Sequence, residues 1–195
     1  MQLAAEIERL QQELAAARAR MAELEARADV DPLTEILNRR GFERELKRSL
    51  AYVKRYGTSA ALIYLDLDGF KSVNDSHGHG AGDAVLKAVA MVLARQVRAS
   101  DVVARLGGDE FAVLLWNLGE EAAADKALAL EAAVARTTAH SGGKTLSVGA
   151  SAGAVAILPL EDPAGLLERA DRAMYARKAL RALSAPGPAT PAPRA

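Results

Sequence analysis

The chain has 195 residues, half of them hydrophobic, and its 25 acidic and 25 basic side chains leave no formal net charge. This length suits one globular domain with an appendage, and the balanced charge lacks the basic excess that nucleic acids or anionic membranes attract. The absence of cysteine excludes disulfides, thiol nucleophiles and cysteine-ligated metals. No unbroken apolar run reaches the length of a membrane span, so we expect a cytoplasmic protein without membrane or nucleic-acid partners.

The N-terminal segment has the heptad pattern of a coiled coil, with apolar residues at alternating spacings of four and three: Leu3, Ile7, Leu10, Leu14, Ala17, Met21, Leu24 and Ala28. In a parallel, in-register pair, Glu13 faces Arg18 of the partner subunit and Arg20 faces Glu25 of the partner subunit, and both pairs attract. We therefore predict a coiled-coil dimerisation stalk over residues 1–30. A single amphipathic helix docked on its own domain is the alternative, since two alanines weaken the seam.

A helix and a strand follow the stalk. Pro32 disfavours helical geometry in the residue before it, so the stalk helix should end at Asp31. The next helix is predicted from about Asn38 to Tyr56, with Gly57 ending it. A buried-looking apolar strand then runs over residues 60–68.

That strand ends in Asp66-Leu67-Asp68. Two alternate carboxylates at a strand end project the same way. Hard divalent cations such as magnesium prefer oxygen ligands, including carboxylates, carbonyls and phosphates. The strand end is therefore a candidate metal site.

Residues 69–83 contain four glycines among short polar side chains, which predicts an exposed, conformationally demanding loop. The loop also carries Asn74 and Asp83. An amide can serve the carbonyl and ring nitrogen of guanine, and a carboxylate can accept from its amino and N1 protons. A plain connector remains the alternative interpretation of this loop.

The remaining elements are predicted from periodicity and turn residues. We expect helices over residues 84–97, 120–136 and 163–180, a loop over 140–143, and a long strand over 146–158. The segment 184–195 is rich in proline and alanine and cannot form a core, so we expect it to be disordered. The element order favours an α/β sandwich with a mainly antiparallel sheet.

A β-hairpin is predicted where Gly107 and Gly108 separate two β-rich stretches, because two-residue turns need positive φ at their centre. Asp109 and Glu110 follow the turn. Successive strand residues point to opposite faces, so one carboxylate can face a site while the other supports it. Solvated acids on a common hairpin are the plainer interpretation, but the second acidic strand end allows Asp66 and Asp109 to share a cation.

The order and spacing of these motifs, from about Asp31 to Lys178, resemble the GGDEF family of diguanylate cyclases, which is named after residues 107–111. The segment 31–39 resembles the family's DxLTGLxNR signature, with Glu35 in place of glycine, which should alter a local turn more than the chemistry. The segment 170–178 resembles its late ADxALYxAK signature with arginine in the second-last place.

The resemblance implies a palm-like nucleotidyl-cyclase fold over residues 31–183, with a mainly antiparallel central sheet flanked by helices. It implies a bacterial signalling enzyme that condenses two GTP molecules into cyclic di-GMP and releases two pyrophosphates. One protomer would hold one GTP, so a homodimer through the parallel coiled coil is part of the expected mechanism. The resemblance also leaves room for an upstream sensor domain.

For the reaction, the resemblance implies two magnesium ions per active site, with manganese as a substitute. Asp66, Asp109 and the Leu67 carbonyl match the metal ligands, and Asp109 is the candidate base. Glu110 is expected to join the metal site, and Lys71 to stabilise charge near the phosphates.

For the substrate, the resemblance implies contacts from residues in three parts of the chain: Asn74, His79, Asp83, Gly107, Gly108 and Lys178. His79 fits equally well as a residue that holds its loop by hydrogen bonds. The family continues with Gly-Arg after the lysine, whereas this chain has Arg181-Ala182. Arg181, one place early, is only a candidate substitute for the family's late arginine.

Arg98 and Asp101 match the family's inhibitory product site in their spacing and in their register against the hairpin. An ion pair at a helix end is the alternative, and such an exposed pair contributes about 0–1 kcal/mol. Two other functions compete with the cyclase. One is a catalytically silent module that binds GTP or cyclic di-GMP, and the other is a protein that chiefly oligomerises.

Overall fold

The computed structural model describes residues 28–184 and the short stretches 6–7, 9–10 and 12–14. The described residues of the N-terminal segment are helical, and Ala28 is the last helical residue before Pro32. The predicted Glu13–Arg18 and Arg20–Glu25 pairings lie outside the described residues, as does the tail beyond residue 184. Among the described helices, none has both the length and the apolarity needed to cross a membrane.

Five helices and seven strands form the domain between residues 28 and 184. In chain order they are β1 (Leu37–Asn38), α1 (Arg39–Tyr56), β2 (Ala60–Asp68), α2 (Phe70–His77), α3 (His79–Arg95), β3 (Val102–Gly107), β4 (Glu110–Trp116), α4 (Glu120–Ala135), β5 (Ala139–Ser141), β6 (Lys144–Leu146), β7 (Gly149–Ala156) and α5 (Pro163–Ser184).

The central sheet has five strands in the order β1-β3-β4-β2-β7. Only β1 and β3 run parallel, and the other neighbours are antiparallel. This arrangement confirms the predicted α/β class with a mainly antiparallel sheet between helices. Strands β5 and β6 form a separate two-stranded hairpin.

The core lies on both faces of the sheet, which explains why β2 is apolar along nearly its whole length. On one face, Ile63 and Phe111 pack with the buried sides of α3 and α4. On the other face, Leu62 and Leu114 pack with α1 and α5. The two helical layers therefore fix where β2 and the β3–β4 hairpin end, which is where the predicted site residues lie.

The segment 69–83 is not the loop that its glycines predicted. It forms α2 and the first residues of α3, which begins five positions earlier than expected. Gly69 and Gly78 precede these helices with φ of 80°, so they act as junctions rather than as parts of a long loop. Gly82 lies inside α3, where glycine is needed because a Cβ at this position would stand 2.0 Å from Asn74 Oδ1.

The predicted strand over residues 146–158 was also wrong in its bounds. Gly142 and Gly143, with φ of 55° and 73°, turn the chain between β5 and β6, and β7 starts only at Gly149. The other predicted elements agree more closely with the structure. Helix α1 ends at Gly57 with φ of 65°, α4 matches its prediction to one residue, and α5 runs four residues further than expected, to Ser184.

Candidate active site

The β3–β4 hairpin presents its turn at one end of the sheet. Gly107 pairs with Glu110, so Gly108 and Asp109 form the two-residue turn. The prediction that Gly107 and Gly108 are the turn residues was therefore wrong by one position, because the strand register shifts between Arg105 and Gly107. Both glycines do have positive φ, 151° and 49°, as the sequence predicted. Asp109 is thus part of the turn itself.

The turn lies against the end of β2. Asp66 is opposite Glu110 in the strand register, and the Leu67 amide donates to the Asp109 carbonyl over 3.2 Å. Burial raises the pKa of the Asp109 carboxyl, and the nearby negative charge of Asp66 raises it further, against the opposing charges of Lys178 and Arg105. The structure therefore brings together the two carboxylates that the sequence placed on separate strands.

Helix α5 supplies a cation to this acidic edge. Lys178 Nζ donates to Asp66 Oδ1, and this hydrogen bond raises the pKa of the lysine. The negative charges of Asp68 and Asp109 also favour the protonated lysine. Lys178 therefore lies at the carboxylates, and its predicted contact with the phosphates of the substrate stays a prediction.

Asp68, the second carboxylate of the strand end, has different partners. It accepts from the Ser151 hydroxyl at 3.0 and 3.1 Å, and Arg181 Nε lies 3.6 Å from its Oδ2. Arg181 Nη1 donates to the Ala150 carbonyl and to the Glu131 carboxylate. Arg181 thus reaches the acidic edge, but its fork is bound to β7 and α4.

Glu110 lies on the same sheet face as Asp66, since residues paired across antiparallel strands share a face. Arg39 Nη2 lies 3.6 Å from Glu110 Oε2. Burial raises the pKa of the neighbouring Tyr64 to about 12, and the charge and hydrogen bond of Glu110 contribute to this shift. Glu110 therefore interacts with Arg39 and Tyr64, and it lies next to Asp66, a candidate metal ligand.

The carboxylates suit magnesium in their chemistry. Within residues 28–184, no group of three or more histidine or acidic side chains is arranged to hold a metal by itself. Mg²⁺ is usually held by one or two carboxylates together with substrate phosphates and water, rather than by an all-protein cage. Asp66 and Asp109 fit that type of site.

The residues predicted to read guanine lie on the helix pair that leaves β2. Asn74 is half-buried on α2 and packs over Gly82, next to Asp83 on α3. Lys71 and His79 are exposed at the first turns of α2 and α3. Asn74 and Asp83 are therefore neighbours across the α2–α3 junction. The His79 ring forms no hydrogen bond with any described residue, and its role stays a prediction.

Arg98 and Asp101 lie between α3 and β3. The Asp101 carboxylate accepts from the Arg98 amide at 2.9 Å and from the Trp116 amide at 3.1 Å. Among the described residues, no ion pair joins the Arg98 and Asp101 side chains, and the Asp101 carboxylate is bound to backbone amides instead. Asp101 lies seven residues before Gly108, and at about 3.3 Å per strand residue it is at most roughly 23 Å from the hairpin turn. The role of Arg98 and Asp101 in product binding stays a prediction.

Two arginines that the site prediction missed brace the hairpin. Arg105 Nε and Nη2 donate to the Gly108 carbonyl at 3.0 and 2.8 Å, and its Nη1 donates to Asp31 at 3.2 Å. Arg39 Nε donates to the Leu106 carbonyl at 2.9 Å. Asp31, in the segment that follows the stalk, is therefore linked to the turn through the Arg105 guanidinium. In the sequence, Arg105 stands alone within an apolar strand, and this pattern could have indicated that it has a partner in the fold.

The Asp31 carboxyl is the acidic partner in this brace. Its burial would raise its pKa, but hydrogen bonds from the Thr34 hydroxyl and amide and the charge of Arg105 hold that pKa below its usual value. Asp31 therefore stays ionised at neutral pH and holds Arg105 in place.

The chain is similar in sequence and fold to proteins of a known family. The family described as diguanylate cyclase, GGDEF domain, matches residues 28–182. The chain is 38% identical over 169 residues to diguanylate cyclase DgcP of Pseudomonas aeruginosa, and the match covers 87% of this chain and 25% of DgcP. It is 43% identical over 163 residues to diguanylate cyclase TpbB of the same species, covering 80% of this chain and 37% of TpbB.

A solved structure of the coiled coil and GGDEF domain of DgcB from Caulobacter crescentus, in complex with c-di-GMP, has a similar fold. Its TM-score is 0.78 at 30% sequence identity, over 92% of this chain and 95% of that chain. The match to the family includes both strand ends and the late lysine. The chain belongs to the GGDEF-domain family of diguanylate cyclases.

Proposed function

We propose that this chain is a diguanylate cyclase that joins two GTP molecules into cyclic di-GMP. The observation that carries the proposal is the meeting of Asp66, Asp109 and Lys178 at one edge of the sheet. In each half-reaction, a 3′-hydroxyl oxygen attacks the α-phosphorus of the other GTP, a new P–O bond forms, and pyrophosphate leaves. Catalysis of such a transfer depends on positioning and charge neutralisation.

The proposed metal ions are magnesium, with manganese as a substitute. When bound, they would lower the pKa of the attacking hydroxyl and offset the negative charge that develops on the phosphate. Asp66 and Asp109 would hold them, together with the Leu67 carbonyl, and Glu110 is a further candidate beside Asp66. Asp109 is the proposed base, as the resemblance of the hairpin to the family implies.

The remaining residues bind and orient GTP in this proposal. The Lys178 ammonium bonds to Asp66 in the protein, and in this proposal it also contacts the phosphates of GTP. Lys71 offers a second, exposed ammonium at the start of α2. Asn74 and Asp83, neighbours across the α2–α3 junction, offer the amide and carboxylate that match the edge of guanine.

Two copies of the domain are needed, since each copy would hold one GTP. We infer a homodimer through the stalk, which would keep two sites at a high effective concentration. Arg98 and Asp101 are the proposed site for inhibitory product. Because DgcP and TpbB extend well beyond the part matched here, an upstream sensor is a proposal of the same kind.

The test is to incubate the protein with GTP and Mg²⁺ and to quantify cyclic di-GMP by chromatography and mass spectrometry. Asp109→Asn should reduce turnover to background. Its fold should persist, because burial and the charge of Asp66 already disfavour the ionised Asp109. The matched control is Asp125→Asn on the exposed side of α4, which should be as active as the parent.

Two results would contradict this proposal. Binding of GTP without any cyclic di-GMP would indicate the silent signalling module instead. Near-normal turnover by the Asp109→Asn variant at limiting Mg²⁺ would rule out the metal and base assignments.

A further inference from the structure

A buried carboxylate on α4 binds two arginines of α5. Glu131 has a side chain only 5% exposed. Its Oε1 accepts from Arg177 Nε at 3.0 Å and from the Ala152 amide at 2.9 Å. Its Oε2 accepts from Arg177 Nη2 at 2.8 Å and from Arg181 Nη1 at 3.1 Å. Both oxygens are therefore saturated by donors from α5 and β7.

Glu131 stays charged in this environment. Burial would raise its pKa, but the Arg177 hydrogen bonds, the Ala152 amide and the charges of both arginines hold that pKa below its usual value. An ionised, buried carboxylate is stable only when it is paired with opposite charges and hydrogen-bond donors, so the geometry of the contact between α4 and α5 is tightly constrained.

The contact fixes the C-terminal part of α5. Up to residue 174 the helix is held on the sheet by its buried side chains Leu166, Ala170 and Met174, and it touches β7 at Gly153, where a Cβ would stand 2.0 Å from the Met174 amide nitrogen. The bonds from Arg177 and Arg181, one turn apart on the same side, hold the part of the helix beyond Met174, where Lys178 lies.

Lys178 is adjacent to Arg177 in the chain, so its direction follows from how this part of α5 is held. Its Nζ reaches Asp66 at the candidate active site. Arg181 is divided between Glu131 and Asp68, with Nε 3.6 Å from Asp68. Neither Glu131 nor Arg177 contacts Asp66 or Asp109.

We propose that Glu131 is a positioning residue for the reaction, which fixes α5 through Arg177 and Arg181 so that Lys178 lies at the carboxylates. The proposal rests on the proposed cyclase activity. In this role Glu131 acts only through Lys178 and does not touch GTP.

The kinetic test uses Glu131→Gln, which keeps the size of the side chain and removes its charge. We expect kcat/KM for GTP to fall about 10–100-fold, as for other residues that orient a site from its second layer. In a Lys178→Ala background the same change should cost nothing further. Glu168→Gln is the matched control, because Glu168 pairs with Arg172 on the exposed side of α5. The activity of this variant should equal that of the parent.

A second readout needs no nucleotide. Limited acetylation at one pH, followed by mass spectrometry, measures how freely Lys178 reacts relative to the exposed Lys71 and Lys87. Glu131→Gln should increase the labelling of Lys178 and leave the two reference lysines unchanged. If the parent makes no cyclic di-GMP, the proposed function fails, but this measurement still tests the link between Glu131 and Lys178.

Equal labelling of Lys178 in parent and variant would overturn the inference, whatever the activity. An equal fold-loss of kcat/KM with and without Lys178 would also overturn it, because that pattern indicates general damage to the fold. If Glu131→Gln does not fold, Arg177→Met takes its place with the same two expectations, since it breaks the contact from the more exposed side.

Discussion

Glu35→Gly should stabilise the protein. Glu35 has φ of 60° in the turn after the stalk. That turn is closed by backbone bonds from Glu35 to Asp31 at 2.9 Å and from Asp31 to Ile36 at 2.8 Å. A φ of 60° lies in the left-handed region that favours glycine, so a glutamate in the family's glycine position is strained here.

The magnitude follows from two opposing effects. A left-handed conformation costs a residue with a Cβ about 1–2 kcal/mol. Glycine has more conformational freedom than glutamate in the unfolded chain, which lowers the free energy of unfolding of the variant by roughly 0.4–1 kcal/mol. The Glu35 side chain is exposed and forms no hydrogen bond or ion pair with another described residue, so little else is lost. The expected net gain is therefore about 0.5–1 kcal/mol.

Urea unfolding followed by circular dichroism measures this gain as a higher midpoint with an unchanged slope. In thermal unfolding, about 1 kcal/mol corresponds to roughly 2–4 °C for a chain of this size. The matched control is Asn117→Gly, since Asn117 also has positive φ, 54°. Asparagine tolerates this conformation better than glutamate, so the control should gain less. A loss of stability in Glu35→Gly, or a gain no larger than the control's, would refute the reasoning.

Four further outcomes are expected. Replacing Asn74 and Asp83 together by alanine should reduce the preference for GTP over ATP, measured as the ratio of kcat/KM values, and equal use of both nucleotides by the parent would contradict the guanine assignment. Arg98→Ala should leave the initial rate similar and let cyclic di-GMP accumulate past the point where the parent stalls; identical progress curves would remove the product site. Deleting residues 1–28 should lower specific activity at low protein concentration and restore part of it at high concentration; activity independent of dilution would mean that the stalk is not the dimeriser. The folded pKa of Asp31 is lowered, so its contribution to stability is full above the unfolded pKa of about 4 and is lost as pH falls through the folded value. Asp31→Asn should therefore flatten the acid side of the plot of unfolding free energy against pH. An unchanged plot would contradict this.

The sequence predicted the meeting of Asp66 and Asp109 because both depend on local patterns. An apolar run with alternate acids at its end defines a strand and its polar edge. A pair of glycines between β-rich stretches defines a hairpin. The exact turn residues escaped prediction, since the register shift next to Gly107 depends on how β3 meets β4.

The glycine-rich segment after β2 misled prediction for a different reason. Gly69 and Gly78 serve as helix junctions, and Gly82 makes room for Asn74. Composition alone cannot distinguish a glycine that frees a loop from one that lets two helices approach. The guanine candidates nevertheless lie close together, because the α2–α3 junction brings Asn74 against Gly82, the residue before Asp83.

Glu131 escaped the site prediction because its partners are distant in sequence: 46 positions separate it from Arg177. A local signal did exist. Ala123, Ala127, Leu130, Glu131 and Val134 are all buried on one side of α4, so a charge stands within an apolar stripe. Such a residue requires a partner in the fold, but sequence alone does not say which one.

The electrostatics of the site depend on one helix. Carboxylates gathered at a sheet edge are costly unless cations neutralise them. Lys178 bonds to Asp66 and Arg181 lies beside Asp68, and both come from α5. Asp66 is the one of these two carboxylates at the candidate active site, so a shift of α5 would act on turnover by moving Lys178. This is why the anchoring of α5 by Glu131, which contacts neither Asp66 nor Asp109, is expected to affect turnover.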